Sequence, residues 1–289
     1  MLETTSIAEL GAGLGAIITG GASGIGLATA RQLAHFGMRV CMVDRDRDAL
    51  QSAAKLLIES CRGGADDVLA LEADVSSATD LDHIADTAFG RFVEIAFLMN
   101  NAASFQSADT FSDPDVWQRT LNVNVLGVLN GVQRIGDRMA ASGKPGFIVN
   151  TGSKQGITTP PGNTAYNVSK AAVKALTEGL AHTLRNRPGC QVSAHLLIPG
   201  FTYTGNAARR NPTPPPAAWL PEQVAERLIQ GLERNDFYIL CQDNETTRDQ
   251  DERRILWAAG DIVENRPALS RWHPDYKAAF EAFMKAPRR

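Results

Sequence analysis

The sequence predicts a doubly wound, parallel α/β sheet, on two observations. Short apolar runs of strand length alternate with longer stretches of helical periodicity. Those apolar runs are continuous rather than alternating, as expected for strands covered on both faces.

Taken in order, residues 16–19 read as a strand, 24–36 as a helix and 39–43 as a second strand. Residues 46–61 are helical, with Leu50, Ala53, Ala54, Leu57 and Ile58 on one stripe. A third strand at 68–72 precedes a helix at 80–92, and a fourth at 95–99 precedes a long helix at 115–139. A fifth strand (146–150), a second long helix (165–187) and a sixth strand (192–198) complete the alternation. It breaks after Pro199. Asn211-Pro-Thr-Pro-Pro-Pro216 fits neither helix interior nor central strand, so 201–218 is a loop, either a lid or a passive surface segment. A helix at 221–235 opens with proline in its first turn. A last strand at 237–241 and helices at 246–260 and 275–285 follow. The chain therefore divides into one domain, residues 12–242, and a C-terminal extension, 243–289.

A chain of 289 residues buries a large core without disulfide or metal support. Its 44% hydrophobic and 21% charged residues are those of an ordinary soluble protein. The net charge of −3 gives no overall pull toward nucleic acid or an anionic membrane. Cys41, Cys61, Cys190 and Cys241 form no CxxC pair; Cys41 and Cys241, inside apolar runs, read as small buried hydrophobes rather than disulfide partners or metal ligands, which fits a reducing cytoplasm. The first fifteen residues carry acidic groups and lack the apolar core of a signal peptide, and no apolar run reaches membrane-spanning length. The five histidines show no ligand spacing, so no metal site is expected.

The first chemical signal is Thr19-Gly-Gly-Ala-Ser-Gly-Ile-Gly26, which follows a strand and opens a helix. Gly20 and Gly24 allow positive φ and close backbone approach to a pyrophosphate, and Gly26 lets the helix pack near the sheet. Ser23, Gly24 and Ile25 stand at the helix N-terminus, where free N–H groups meet phosphate oxygens. The earlier cluster Gly11, Gly13 and Gly15 precedes the strand and reads as a flexible entry segment at the wrong end of the sheet. Asp44 ends the second strand, where a carboxylate holds the adenosine ribose of NAD and repels the extra phosphate of NADP. It can equally cap the next helix. The adjacent Arg45 is either a holder of that phosphate or a solvated charge. Charge favours NAD over NADP. Asp74, with Val75 after the third strand, reads as an adenine contact or a helix cap, and Asn100-Asn101-Ala-Ala103 leaves room for the ribose.

Tyr166 and Lys170 are four apart on a helix and so share a face. A free phenol has a pKa of about 10; a neighbouring ammonium lowers it toward a working acid–base. Ser153, just past the fifth strand, can hold a substrate oxygen beside that phenol, and no nucleophile-elbow pattern surrounds it. Asn124 is an awkward residue inside a helix, either kinking it or holding a proton-relaying water.

These motifs, in order and spacing, resemble the short-chain dehydrogenase/reductase family over about residues 12–242. Trp117, Val123-Asn124 and Gly127 resemble the family's helix-asparagine motif. The resemblance implies a Rossmann-like fold and an Asn124–Ser153–Tyr166–Lys170 tetrad, with Tyr166 exchanging the substrate proton. Lys170 would lower the pKa of Tyr166 and hold the nicotinamide ribose. Pro199, Gly200, Thr202 and Thr204 resemble the segment that contacts the nicotinamide end, although Thr202 stands where the family usually has Val or Ile. Ala103 replaces a usual glycine. The resemblance also implies a homodimer or homotetramer formed through the two long helices. The chain lacks the family's common glycine-rich ending. Trp257, Trp272, His273 and Tyr276 of its extension read as packing residues or as cover for a site.

The expected function is NAD-dependent interconversion of a small-molecule alcohol and its ketone or aldehyde, in the cytoplasm. The alternatives are NADP-dependent carbonyl reduction and a non-catalytic dinucleotide sensor or scaffold. Ser104, Phe105, Gln155, Asn163 and the 201–218 loop are candidate substrate contacts, and Phe201, Tyr203 and Trp219 point to a partly apolar substrate.

Overall fold

The computed structural model describes residues 11, 13–61, 63–205 and 212–287. Seven parallel strands form one sheet in the order β3-β2-β1-β4-β5-β6-β7. They are β1 (Gly15–Thr19), β2 (Arg39–Asp44), β3 (Val68–Glu72), β4 (Ile95–Asn100), β5 (Pro145–Thr151), β6 (Gln191–Ile198) and β7 (Tyr238–Leu240). The order reverses between β1 and β4, the switch point where such sheets open a crevice at their C-terminal edge.

Helices α1 (Gly24–His35) and α2 (Arg47–Ile58) cover one face together with α7 (Pro221–Glu233). Helix α3 (Ala78–Phe92), helix α4 over residues 114–141 and helix α6 (Thr164–Asn186) cover the other. Adjacent strand residues serve opposite layers: Ala16 and Ile18 join the first core, and Ile17 joins the second. That two-sided burial explains the unbroken apolar runs. Cys41 and Cys241 are buried, and all four cysteines are free.

The predicted elements are present, with ends shifted by a few residues. Helix α4 carries two π-turns, at Asn122–Leu126 and Val132–Gly136. A short helix α5 (Gln155–Thr158) follows β5, where the sequence shows only loop residues. Beyond β7 lie α8 (Arg248–Val263) and α9 (Lys277–Lys285). They build a small core of their own around Trp257, whose ring meets Phe280 and Phe283 and lies 4.0 Å below the Arg266 guanidinium. Trp257 is therefore a packing residue, whereas Trp272 stays partly exposed. Among the described residues, no helix is long and apolar enough to cross a membrane.

Of the entry glycines, Gly11 and Gly15 are buried and Gly13 is exposed. Gly11 is buried, and a Cβ there would lie 2.3 Å from the Phe36 carbonyl oxygen. Gly13 donates its N–H to the Gly37 carbonyl at 3.0 Å. Both contacts lie at the start of β2, opposite the crevice.

Candidate active site

The ends of β1, β2, β4, β5 and β6 bring the marked residues to one edge of the sheet. In the glycine turn, Gly20 and Gly24 have φ of 65° and 54°. A Cβ at Gly26 would lie 2.2 Å from the Gly20 carbonyl oxygen, so the helix approaches its own entry turn as only glycine permits. Ser23 precedes α1 without a side-chain cap, leaving the first-turn N–H groups uncapped for an anion. Thr204 lies against Gly24, so the segment after β6 closes over the turn. These features fit the pyrophosphate of a dinucleotide, a group whose oxygens need backbone donors and no intruding side chain.

Asp44 accepts the Ala22 N–H at 3.2 Å and the Asp46 N–H at 3.1 Å, bracing the turn with its remaining lone pairs beside the crevice. It does not cap α2; Asp46 does, accepting from the Ala49 N–H. Arg45 is exposed. Asp74 is exposed too and accepts from the Ser76 N–H and hydroxyl, while Ser77 caps α3. Val75 packs against Gly127 of α4, which has no room for a Cβ there.

Asn101 donates its amide to the Thr19 and Gly20 carbonyls, at 3.1 and 3.4 Å, which ties the end of β4 to β1 and the glycine turn. The Thr19 hydroxyl accepts the N–H groups of Asn101 and Ala102. Sequence reasoning missed Thr19, although a threonine ending an apolar strand before paired glycines is a usable signal.

Asn124 lies in the first π-turn, fully buried. Such turns recur at functional positions in helices. Its Oδ1 accepts the Ser104 N–H at 2.7 Å, and its Nδ2 donates to the Ser104 carbonyl and the Ser169 hydroxyl, each at 3.0 Å. The amide thus pins the post-β4 loop to α6, and both its donors are committed. Asn163 caps α6, accepting from Tyr166 and Ala108.

Tyr166 and Lys170 share one face of α6, with the ammonium 5.7 Å from the ring centroid. Lys170 donates to the Thr151 carbonyl at 2.7 Å. Phe105 stands edge-on to the Tyr166 ring at 4.8 Å. Burial pushes the phenol up to about 12, and an interaction with the Ser153 side chain offsets this only in part. Burial also pushes Lys170 down to about 8. Burial of the phenol thus sets its shift, which runs upward rather than in the expected downward direction. Ser153 accepts the Gln155 N–H at 3.1 Å, which orients its hydroxyl.

After β6, Thr202 pairs with Trp219, and its hydroxyl donates to the Gly200 carbonyl at 3.3 Å. The Tyr203 N–H donates to the Trp219 carbonyl at 2.8 Å. Residues 206–211 of the expected lid lie outside the described residues. Among the described residues, no three His, Cys, Asp or Glu side chains are placed to hold a metal ion.

Comparison with known proteins agrees with this geometry. The short chain dehydrogenase family model matches residues 15–215. A 1-deoxy-11-beta-hydroxypentalenate dehydrogenase of Streptomyces avermitilis is 30% identical over 249 residues, 84% of this chain and 89% of that one. A 3beta-hydroxysteroid dehydrogenase of Eggerthella lenta is 30% identical over 195 residues, 67% of this chain and 72% of that one. The crystal structure of a short-chain dehydrogenase/reductase from Burkholderia phymatum in complex with NAD superposes with a TM-score of 0.79. It is 31% identical, covering 89% of this chain and 96% of that one. The chain belongs to the short-chain dehydrogenase/reductase family and is an oxidoreductase with that family's Rossmann-like, NAD(P)-binding fold.

Proposed function

We propose that this protein interconverts a secondary or primary alcohol and its carbonyl compound with NAD, using Tyr166 as the proton-transferring group. The observation that carries the reading is the pairing of the Tyr166 phenol with Ser153 on one side and the buried Lys170 on the other. A surface tyrosine needs no buried ammonium beside it. The two relatives named above are dehydrogenases of a hydroxysteroid and a hydroxypentalenate. The same reaction class is inferred here.

Gly20, Ser23, Gly24, Ile25 and Gly26 would hold the pyrophosphate, and Asp44 the adenosine ribose. Asp74 and Val75 would line the adenine. Lys170 would reach the nicotinamide ribose, and the segment carrying Pro199, Gly200, Thr202 and Thr204 would border the nicotinamide. When bound, the nicotinamide supplies the hydride acceptor or donor at the substrate carbon. The protein's own part is proton management. Ser153 holds the substrate oxygen against Tyr166. A phenol held at about 12 is a proton donor at neutral pH, which suits carbonyl reduction. Alcohol oxidation needs the phenolate and gains as pH rises. Asn124 acts by fixing the loop that carries Phe105. The half-exposed rings of Phe105 and Phe201 favour a substrate with apolar surface next to its reacting carbon.

In this reading, residues 12–242 form the cofactor-binding and catalytic domain and 243–289 an extension, and the protein works as a cytoplasmic homodimer or homotetramer. The test is a fluorescence titration with NADH and NADPH, followed by a survey of alcohols with the preferred nucleotide. Tighter NADH binding is expected. Asp44→Asn should shift the ratio of dissociation constants toward NADPH about tenfold, or about 1.4 kcal/mol, by removing the charge that repels the 2′-phosphate. Preference for NADPH in the unaltered protein would move the selecting role to Arg45.

A further inference from the structure

We infer that Lys154, Asp243 and Asp251 form a clamp by which the C-terminal extension positions Ser153 and Gly200 for the reaction. The inference rests on the reading of Ser153 given above.

Lys154 follows Ser153 directly and holds the corner of its loop. Its N–H donates to the Pro199 carbonyl at 3.2 Å, and its carbonyl accepts the Ile157 and Thr158 N–H groups at 3.1 Å each. Its ammonium lies 2.6 Å from Asp251 Oδ2 and 3.1 Å from Asp243 Oδ2. The three side chains are 18, 5 and 11% exposed, in that order of lysine, Asp251 and Asp243. One cation therefore joins the loop after β5, the loop after β7 and helix α8 of the extension.

The clamp also crosses the segment after β6. A Cβ on Gly200 would lie 2.8 Å from Lys154 Nζ and 3.0 Å from Asp243 Oδ2. Gly200 does not have positive φ, so the reason for glycine here is the ion pair passing over it. Thr246 fixes Asp243 by donating its N–H at 2.7 Å, and it accepts from Arg254, which lies 3.9 Å from Asp251. Burial pushes both carboxyls up. At Asp243 the neighbouring Lys154 and Thr246 outweigh burial and hold it below the usual range, while at the deeper Asp251 burial wins.

A shared, largely desolvated cation is a stiff positioning device because a carboxylate that leaves it breaks an ion pair in a nearly dry site. Lys154, Asp243 and Asp251 touch neither the glycine turn nor Tyr166 in this arrangement; they act through Ser153 and Gly200. Displacement of a positioned group by about 1 Å costs on the order of a hundredfold in rate.

The experiment compares the unaltered protein with Asp251→Asn. It reads kcat and KM for the best alcohol of the survey, the NADH dissociation constant, and hydrogen exchange over residues 152–158. The expected result is a kcat lower by about ten- to a hundredfold, NADH affinity within about twofold, and faster exchange over 152–158. Asp251→Glu should recover part of kcat. If Asp251→Asn does not fold, Asp243→Asn neutralises the longer of the two ion pairs and is expected to show the same pattern at about threefold. An unchanged kcat in the folded variant, even with a lower melting temperature, overturns the clamp and leaves the proposed reaction intact. An unaltered protein that binds NADH but oxidises no alcohol overturns both.

Discussion

The two sides of the cleft are held together by different physics. On the cofactor side, the ends of β1, β2 and β4 are joined by backbone groups and short side chains. The Thr19 hydroxyl takes two N–H groups, the Asn101 amide takes two carbonyls, and missing Cβ atoms let the chain close on itself. On the other side, the ends of β5, β6 and β7 are joined by ammonium groups, the buried Lys170 on the Thr151 carbonyl and the partly buried Lys154 on Asp243 and Asp251. Steric fit preorganises the first side at little electrostatic cost. The second keeps charges out of water, which costs free energy, and gains groups whose protonation the chemistry can use.

The sharpest way to separate the two sides is Tyr166→Phe. It keeps the ring that meets Phe105 and removes only the hydroxyl proposed to carry the proton. Turnover is expected to fall by about 10²–10⁴-fold, while NADH affinity stays within about twofold, since the glycine turn is untouched. Steady-state kinetics with parallel fluorescence titration measures both. A variant that keeps its rate would move the proton transfer elsewhere.

Legibility in the sequence divides along the same line. The glycine turn was readable because its residues are close in sequence: Gly20, Gly24 and Gly26 lie within seven positions between a strand and a helix, although the neighbours that leave no room for a Cβ at Gly20 and Gly24 come from the segments after β4 and β6. The strands were readable because burial on both faces leaves continuous apolar runs. The structural role of Asn101 was not, because its partners lie some 80 positions away on β1. The clamp was invisible for the same reason. Lys154 meets Asp243 across 89 positions, and nothing near Lys154 in the sequence marks it as paired. Likewise, the spacing of Tyr166 and Lys170 shows that they share a face but not how dry that face is. Desolvation, set by the whole fold, reverses the expected shift of the phenol.

That burial gives the second comparison. Lowering Lys170 from 10.5 to about 8 means the fold prefers the neutral amine, a preference worth about 3 kcal/mol against folding at neutral pH. Between those two values the unfolded chain binds more protons than the folded one, so stability rises with pH across that window. Lys170→Met lacks this titration. Urea unfolding should show the variant gaining most relative to the unaltered protein below pH 8, and the gap narrowing as pH climbs toward 10.5. A gap that is flat with pH would mean that Lys170 is hydrated and ordinary in solution.

Gly26→Ala tests the steric side in the same currency. The added methyl would sit 2.2 Å from the Gly20 carbonyl oxygen and near Asn101 Nδ2, at 2.8 Å. Backbone must shift, and overpacking of this kind costs about 1–3 kcal/mol. The loss should be independent of pH, in contrast to Lys170→Met, and NADH affinity should fall with it. A tolerated alanine would show that the turn is softer than its contacts imply.

The smallest effect is expected at Thr202, where the family's usual Val or Ile is absent. The position serves the site through its backbone: Thr202 bridges to Trp219, and the flanking Phe201 carbonyl and Tyr203 N–H bond to Trp219 at 2.9 and 2.8 Å. Its hydroxyl adds one 3.3 Å bond to the Gly200 carbonyl, long for an O–H donor. Thr202→Val keeps the branched shape and every backbone bond. Stability should change by no more than about 1 kcal/mol, and NADH affinity by less than about threefold. A larger loss of affinity would mean that the hydroxyl itself touches the bound nucleotide. That would place one side-chain contact on a segment that otherwise holds its position through the main chain.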